Sequence, residues 1–406
     1  MSDCTPLESA LATVPDEIKT VRDWDGARLT AEAERCADLI SQSSIMMWWS
    51  ETARKRQKKW AGQPVDGRAV ADSIEPDPDV VGDAVARGLA ILAIRPAGVE
   101  FAGLHLCDHP GSHNCNRGAL AIDPTPKPDA IKVTGAYWTP RTLAEEVTDG
   151  TLEAVVYDPG PLQTADESAW RLRPATEILS KTVADIAVGA GVFPMAALRY
   201  LTARILDHAD PGNITSALEQ HVRAQVITNC LYGADINPAS LELCRIAMAL
   251  MVPLVDIDAE IRRRFRCGDS LLGIAGIDDL RFMDLNVKRG RTYHNNVPVI
   301  DVNAVAAAHG DQTLWLLADL ATGAALATAA KGVRAWRQMA GEVEDLARRV
   351  AAGESGAVEK VRARALELLD TDRPAGCPPR NPLHWPLAFP EVFGATPMPS
   401  FDPEEF

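Results

Sequence analysis

The sequence predicts an α/β protein built on a parallel sheet, with a long helical segment towards its carboxyl end. Three observations carry this. Helical segments alternate with short apolar strands between Ala130 and Gly273, as crossover connections between parallel strands require. A strand–glycine–helix turn stands at 182–206, and an Ala-rich helical stretch without strand signals runs from Thr313 to Leu369. The chain therefore divides into an N-terminal region of mixed structure (1–129), an α/β domain (130–273), and a helical, finally proline-rich segment (274–406).

In chain order, Leu29 to Trp60 has the spacing of a helix, and the following text is turn-rich, with Pro76, Pro78, Pro96, Pro110 and Pro124. Thr182–Val188 (TVADIAV) reads as a strand leading through Gly189-Ala190-Gly191 into a helix over Val192–Leu206. Leu231–Ile236 (LYGADI) reads as a second strand, with Asn237-Pro238 opening a helix that runs to Leu250, since proline is well placed just inside a helix start. Arg263–Cys267 reads as a third strand running into Gly268-Asp269-Ser270-Leu271-Leu272-Gly273. The helical stretch from Thr313 to Leu369 is expected to break near Gly353–Gly356. No internal repeat is present.

Composition narrows the function classes. An apolar share of 47% is enough for a globular core, while 41 basic against 56 acidic residues give a formal charge of −15. That balance argues against a chain that by itself wraps a phosphate backbone, because such binding relies on Lys and Arg displacing counterions. The most apolar run, Ile246–Val255, carries Pro253 and falls far short of the ~20 residues that span a bilayer. Asp3, Glu8 and Asp16 stand where a secretory leader would need basic and apolar residues, and the eight cysteines are scattered, so a reduced, cytoplasmic setting is expected.

The turn at Asp185-x-x-x-Gly189-x-Gly191 has the chemistry of a ligand loop. Glycines let the backbone approach a ligand, and the helix start presents unpaired N–H groups. An ordinary strand-to-helix turn is the competing reading. Asp235, at the end of the second strand, is positioned to hold the two hydroxyls of a ribose, or else serves the dipole of the following helix. A dinucleotide fold would place a third glycine where Pro194 stands and its acidic residue about 20 positions beyond the loop; Asp235 lies 46 beyond Gly189. NAD is thereby disfavoured. Asp185, Asp235 and Asp269, at three successive strand ends, suit a nucleoside carrying hydroxyls and an exocyclic amine.

With these residues in place, the sequence resembles the large adenine-specific DNA methyltransferases of bacterial restriction and phage-defence systems. Thr134-Gly135-Ala136-Tyr137-Trp138-Thr139-Pro140 resembles the Gly-x-x-Tyr-Thr-Pro segment that precedes their fold, and Asp185–Phe193 (DIAVGAGVF) resembles their donor loop. Gly233–Pro238 (GADINP) resembles the ribose-binding segment, Gly268–Gly273 (GDSLLG) the adenine-binding one, and His384–Phe393 (HWPLAFPEVF) a segment carried shortly before the catalytic motif. A fainter likeness surrounds Val99-Glu100-Phe101. Trp138 replaces the usual Tyr and Ala190 the usual Ser. The resemblance covers about Lys132 to Phe393 and implies a Rossmann-like donor-binding half-sheet with S-adenosylmethionine as cofactor. Carried over residue by residue, it assigns the donor site to Thr139, Pro140, Asp185, Gly189, Gly191, Asp235 and Asp269.

The family transfers its methyl group through an Asn- or Asp-Pro-Pro-aromatic loop that receives a flipped base, and this sequence has none. Its sole Pro-Pro, Pro378-Pro379, is flanked by Cys377 and Arg380, and Asn381-Pro382 is followed by Leu383. No catalytic residue is therefore assigned. The catalytic loop and the domain that reads double-stranded DNA are expected beyond the terminus of this chain, on a complementary chain. In the family's fold the first strand is central; here TVADIAV would be an exposed edge, giving either a split enzyme or an unstable remnant. The alternative reading is a noncatalytic regulatory or binding subunit, and a nucleotide-dependent oxidoreductase ranks third.

Two further features weigh towards structure over function. Cys107, His109, His113 and Cys115 have the composition of a tetrahedral zinc site, but their spacing is tighter than that of the common fingers and ribbons, which favours a polar loop. Arg54-Lys55-Arg56-Gln57-Lys58-Lys59, beside Trp48, Trp49 and Trp60, offers a phosphate-binding face, and a solvated helix face explains it more simply.

Overall fold

The computed structural model describes residues 25–42, positions within 84–92, 104–105, 120–121, 139–285, 297–374 and 379–394. It is an α/β structure, mostly helical, with one small three-stranded parallel sheet, and it divides into two compact units, Met1–Arg266 and Cys267–Phe406.

In the first unit, α1 (Gly26–Ser41) starts at Asp25, whose side chain accepts from the Arg28 N–H at 2.8 Å. It buries Leu29, Ala33, Cys36, Ala37 and Ile40. A two-residue parallel pair, β1 (Leu104–His105) and β2 (Leu120–Ala121), follows. Next come α2 (Arg141–Val156), α3 (Ala175–Ile178) and the sheet strand β3 (Val183–Asp185). Gly191 then caps α4 (Val192–Leu206), and α5 (Ser216–Asn229) leads into β4 (Leu231–Asp235). α6 (Pro238–Leu250), α7 (Asp258–Arg264) and β5 (Phe265–Cys267) complete the sequence of elements.

The strand order is β3-β4-β5, with Val183 opposite Leu231 and Asp185 opposite Gly233. β4 is buried along Leu231–Ala234, whereas Ala184 of the end strand β3 is exposed. Gly233 is dictated by packing: a Cβ there would lie 2.4 Å from Val188 Cγ1 and 2.6 Å from Phe265 Cδ1. α1 packs on α6, and Asp38 holds Arg141 of α2 at 3.0 Å and also Arg199 of α4. Glu34 pairs with Arg223 of α5, so four helices are clasped by ion pairs from a segment that the sequence placed in a separate N-terminal region.

The second unit holds α8 (Ile277–Phe282), α9 (Val302–His309), α10 (Asp311–Thr328), α11 (Val333–Ala351) and α12 (Ala357–Leu369). Leu314, Leu317 and Leu320 of α10 share a core with Val343 and Val350 of α11 and Val361 and Leu368 of α12. Gly323 lets α10 and α12 approach, since a Cβ there would stand 2.7 Å from Leu368 Cβ. The HWPLAFPEVF segment forms two short turns, α13 (Trp385–Ala388) and α14 (Pro390–Phe393).

Several expectations are corrected. Arg263 and Arg264 end α7 instead of starting β5: the helix carries Asp258 and Glu260 in its first turn and arginines in its last, which its dipole favours, and Arg263 reaches back to Glu260 at 2.8 Å. The Ala-rich stretch breaks a second time, at 329–332, because α11 folds back to bury Val343, Ala347 and Val350. α1 starts at Gly26, ahead of Leu29, and the basic run and tryptophans that follow it lie outside the described residues. The Cys107, His109, His113, Cys115 cluster also lies outside them, and no group of potential metal ligands occurs among the described residues. No helix among the described residues is long and apolar enough to cross a membrane.

Candidate functional site

The carboxyl ends of β3 and β4 converge on one loop. After Asp185 the chain stays beside β4 for one further bond, Val188 N–H donating to Ala234 O at 3.0 Å. It then turns through two glycines with left-handed backbone, Gly189 at φ +54° and Gly191 at φ +103°. Gly191 N–H closes the turn on Val188 O at 2.8 Å. Open space surrounds the position of a Gly189 Cβ, whereas a Cβ on Gly191 would meet Cys244 Sγ at 2.8 Å. Gly191 is thus required both by its conformation and by the α6 floor beneath it, while Gly189 leaves room above the loop.

Both carboxylates are engaged with this backbone. Asp185 Oδ1 accepts from Ala187 N–H at 2.9 Å, while its Oδ2 is buried with no hydrogen-bond partner. Asp235 Oδ2 accepts from Gly189 N–H at 2.7 Å and Oδ1 from Asn237 N–H at 2.8 Å. Asp235 therefore clasps the glycine loop to the start of α6 across 46 residues of sequence. Sequence reasoning offered this residue to a ribose or to the dipole of the following helix and missed the clasp on Gly189, which has no local signal. A carboxylate has about four acceptor sites, so the clasp leaves acceptor capacity on Asp235.

Burial pushes the Asp185 carboxyl above the usual carboxylate range, and the negative charge of Asp235 pushes it further in the same direction, against the Ala187 N–H. Burial also raises Asp235, opposed by the N–H groups of Asn237 and Gly189. Neither makes an ion pair among the described residues. The loop's free N–H at Gly189 is already spent on a carboxylate, and two half-buried acidic groups line the rim. Such a rim repels phosphate and favours a ligand that brings hydroxyl donors or a positive charge. Ile186 and Ile236, each next to a carboxylate, are 47% and 46% exposed and give the rim apolar flanks.

The remaining sequence-predicted residues sit as follows. Thr139 and Pro140 precede α2, with Pro140 at its cap, and α2 packs on the helix that Gly191 starts. Neither side chain hydrogen-bonds to the glycine loop. Asp269 lies in the second unit just past β5, with Oδ1 accepting from Leu271 N–H at 3.0 Å. Its backbone is held by residues 381–383, Asp269 N–H donating to Asn381 O at 2.7 Å and Leu383 N–H to Asp269 O at 3.1 Å. Next to it His384, fully buried, accepts from Ile274 N–H at Nδ1 (3.3 Å) and pairs through Nε2 with Asp319 at 3.0 Å. The HWPLAFPEVF segment thus has a structural task in the second unit, fixing the Gly268–Ile274 loop.

No protein-family model matches this chain, and no curated protein or solved structure shows a significant similarity to it.

Proposed function

We propose that this chain binds S-adenosylmethionine and forms the donor-binding part of an adenine-specific DNA methyltransferase. The reading rests on one observation above the others: two half-buried carboxylates at adjacent parallel strand ends, one clasping a two-glycine loop and the other keeping a buried oxygen without a hydrogen-bond partner. That donor set fits a ligand with a vicinal diol and a cationic amino-acid end, and the strand–loop–helix order supports reading the three parallel strands as a Rossmann-like half-sheet. Asp235 would accept the ribose hydroxyls, Asp185 and the loop from Gly189 to Gly191 would face the amino-acid end, and Thr139 and Pro140 would complete the site. When bound, S-adenosylmethionine supplies an activated methyl group.

No Asn- or Asp-Pro-Pro-aromatic sequence occurs in residues 1–406. The transfer to the exocyclic amine of a flipped adenine accordingly depends on a loop supplied from outside them, and double-stranded DNA is engaged by the completed enzyme. The same gap supports the second reading, a noncatalytic binding or regulatory subunit or an inactive remnant. Equilibrium dialysis with radiolabelled S-adenosylmethionine tests the donor site directly. Saturable binding that ATP and NAD do not displace is expected, and competition by either nucleotide, or no binding to folded protein, would sink the assignment. Methylation of DNA by the chain with a complementary subunit, lost on Asp235→Ala, separates the enzyme from the regulatory reading.

A further inference from the structure

We infer that the solvent face at the start of α11 is a contact surface for the phosphate backbone of nucleic acid, with Lys331, Arg334 and Arg337 as its cations. The choice of duplex DNA among nucleic acids rests on the methyltransferase reading; the surface itself does not.

Among the described residues, four lysine and arginine side chains have no ion pair, hydrogen bond or ring contact: Lys181, Lys331, Arg334 and Arg337. Three of the four fall within seven residues of sequence, all exposed. The second half of the same helix is built differently, Arg348 holding Glu344 at 2.9 Å and Arg349 holding Asp345 at 2.8 Å. No acidic residue stands between Asp319 and Glu342. The acids on the neighbouring helix end are already engaged: Arg364 of α12 holds both Glu342 at 2.7 Å and Glu367 at 2.8 Å, and Arg373 holds Asp370. Nothing in the fold favours the cations where they are. Arg334 lies in the first turn of α11, which has no acidic residue and whose dipole disfavours positive charge, and Arg334 and Arg337 are like charges three residues apart. A chain of formal charge −15 leaves them uncompensated.

The face they occupy suits close approach. Arg334, Arg337, Gln338 and Gly341 fall within about 100° of arc on the helix, opposite the buried Val343, Ala347 and Val350, and all four are exposed. Gly341 lies between the two arginines in angle, one turn further on. A Cβ there would meet nothing within 4 Å, so no described neighbour requires a glycine in the middle of this helix, where it is unfavourable relative to alanine. Bare backbone beside two guanidinium groups lets a partner approach closely. Guanidinium groups take phosphate oxygens bidentately, and a row of cations on one face fits a polyanion whose charges recur along a line. A membrane surface fits less well, because helices that lie on membranes set large apolar side chains beside their cations, and this face offers Gln338 and Gly341 instead. Contacts of this kind position a duplex without reading its sequence.

The test is fluorescence anisotropy of the full chain with a labelled duplex of about 30 base pairs, between about 50 and 200 mM salt. Saturable binding is expected at the lowest salt. Replacing Lys331, Arg334 and Arg337 together with alanine should lower the affinity about tenfold or more and reduce the slope of log K against log salt by about 2–3, at roughly 0.9 for each phosphate released. Lys181→Ala removes the fourth free cation and should change neither. Gly341→Glu places an opposite charge between the arginines while raising helix propensity, so it should weaken binding by a similar factor in protein that is at least as helical by circular dichroism. No binding at the lowest salt, an unchanged slope in the triple variant, undiminished binding by Gly341→Glu, or an equal loss in Lys181→Ala overturns the inference. So does binding to phosphatidylserine vesicles that the triple variant abolishes while duplex binding persists, which would give the cations to a membrane. Dialysis of S-adenosylmethionine on the same preparations separates the two ideas. Donor binding with duplex binding that ignores the three cations sinks the surface alone; duplex binding that needs them, without donor binding, sinks the methyltransferase reading and leaves the surface.

Discussion

Replacing Asp235 with alanine removes the acceptor of two backbone N–H groups, those of Gly189 at 2.7 Å and Asn237 at 2.8 Å. Hydrogen bonds to a charged group contribute about 1.5–3 kcal/mol each, so the gross loss is about 3–6 kcal/mol. Against it stands the cost of burying the carboxylate, which is the largest influence on Asp235 and outweighs both N–H groups in raising its pKa. The two effects oppose each other in global stability, whose net fall should therefore be smaller than that gross loss of about 3–6 kcal/mol. Locally nothing offsets the loss at Gly189, because its left-handed turn leans on that one acceptor. Hydrogen exchange of the Gly189 amide in ligand-free protein should accelerate at least tenfold, the factor that corresponds to about 1.4 kcal/mol. A Gly189 amide as protected in the variant as in the parent would refute the clasp. A fall of more than about 10 °C in the midpoint would refute the balance of terms.

Three other expectations follow from the same geometry. Because Asp185 is raised by burial and by Asp235, the folded state holds its proton more tightly than the unfolded one, and the stability associated with that proton is present at low pH and lost as pH rises through the folded pKa. Asp185→Asn should therefore raise the urea midpoint at neutral pH and show an advantage that shrinks as pH falls through the raised folded pKa towards the usual carboxylate range; an advantage that grows with acid would reverse the sign. Gly191→Ala should cost about 1–3 kcal/mol through strain at positive φ and contact with Cys244, and combining it with Cys244→Ala should return the contact share while the φ strain persists. His384→Ala leaves the buried Ile274 N–H without its acceptor and empties the space against Trp315, whose ring lies 5.1 Å from the imidazole. A loss of about 3 kcal/mol or more is expected in thermal unfolding, and a variant as stable as the parent would show that the His384–Asp319 pair does not hold the Gly268–Ile274 loop.

Where structure is dictated by neighbours in sequence, the residues alone determined it. Gly191 before an apolar periodic run set the start of α4, and Pro238 after Asn237 set the start of α6, because left-handed backbone and a fixed proline φ are properties of single residues. The two carboxylates at the ends of β3 and β4 were legible for the same reason, as short apolar runs that stop at an aspartate. Tertiary structure decided what those residues do to each other. Asp235 reaches Gly189 across 46 positions, and His384 meets Asp319 across 65. Cys244 forms the floor under Gly191 from the middle of a helix. Arg263 and Arg264 read as strand by position, yet ended a helix because acidic residues one turn earlier and the helix dipole hold them there.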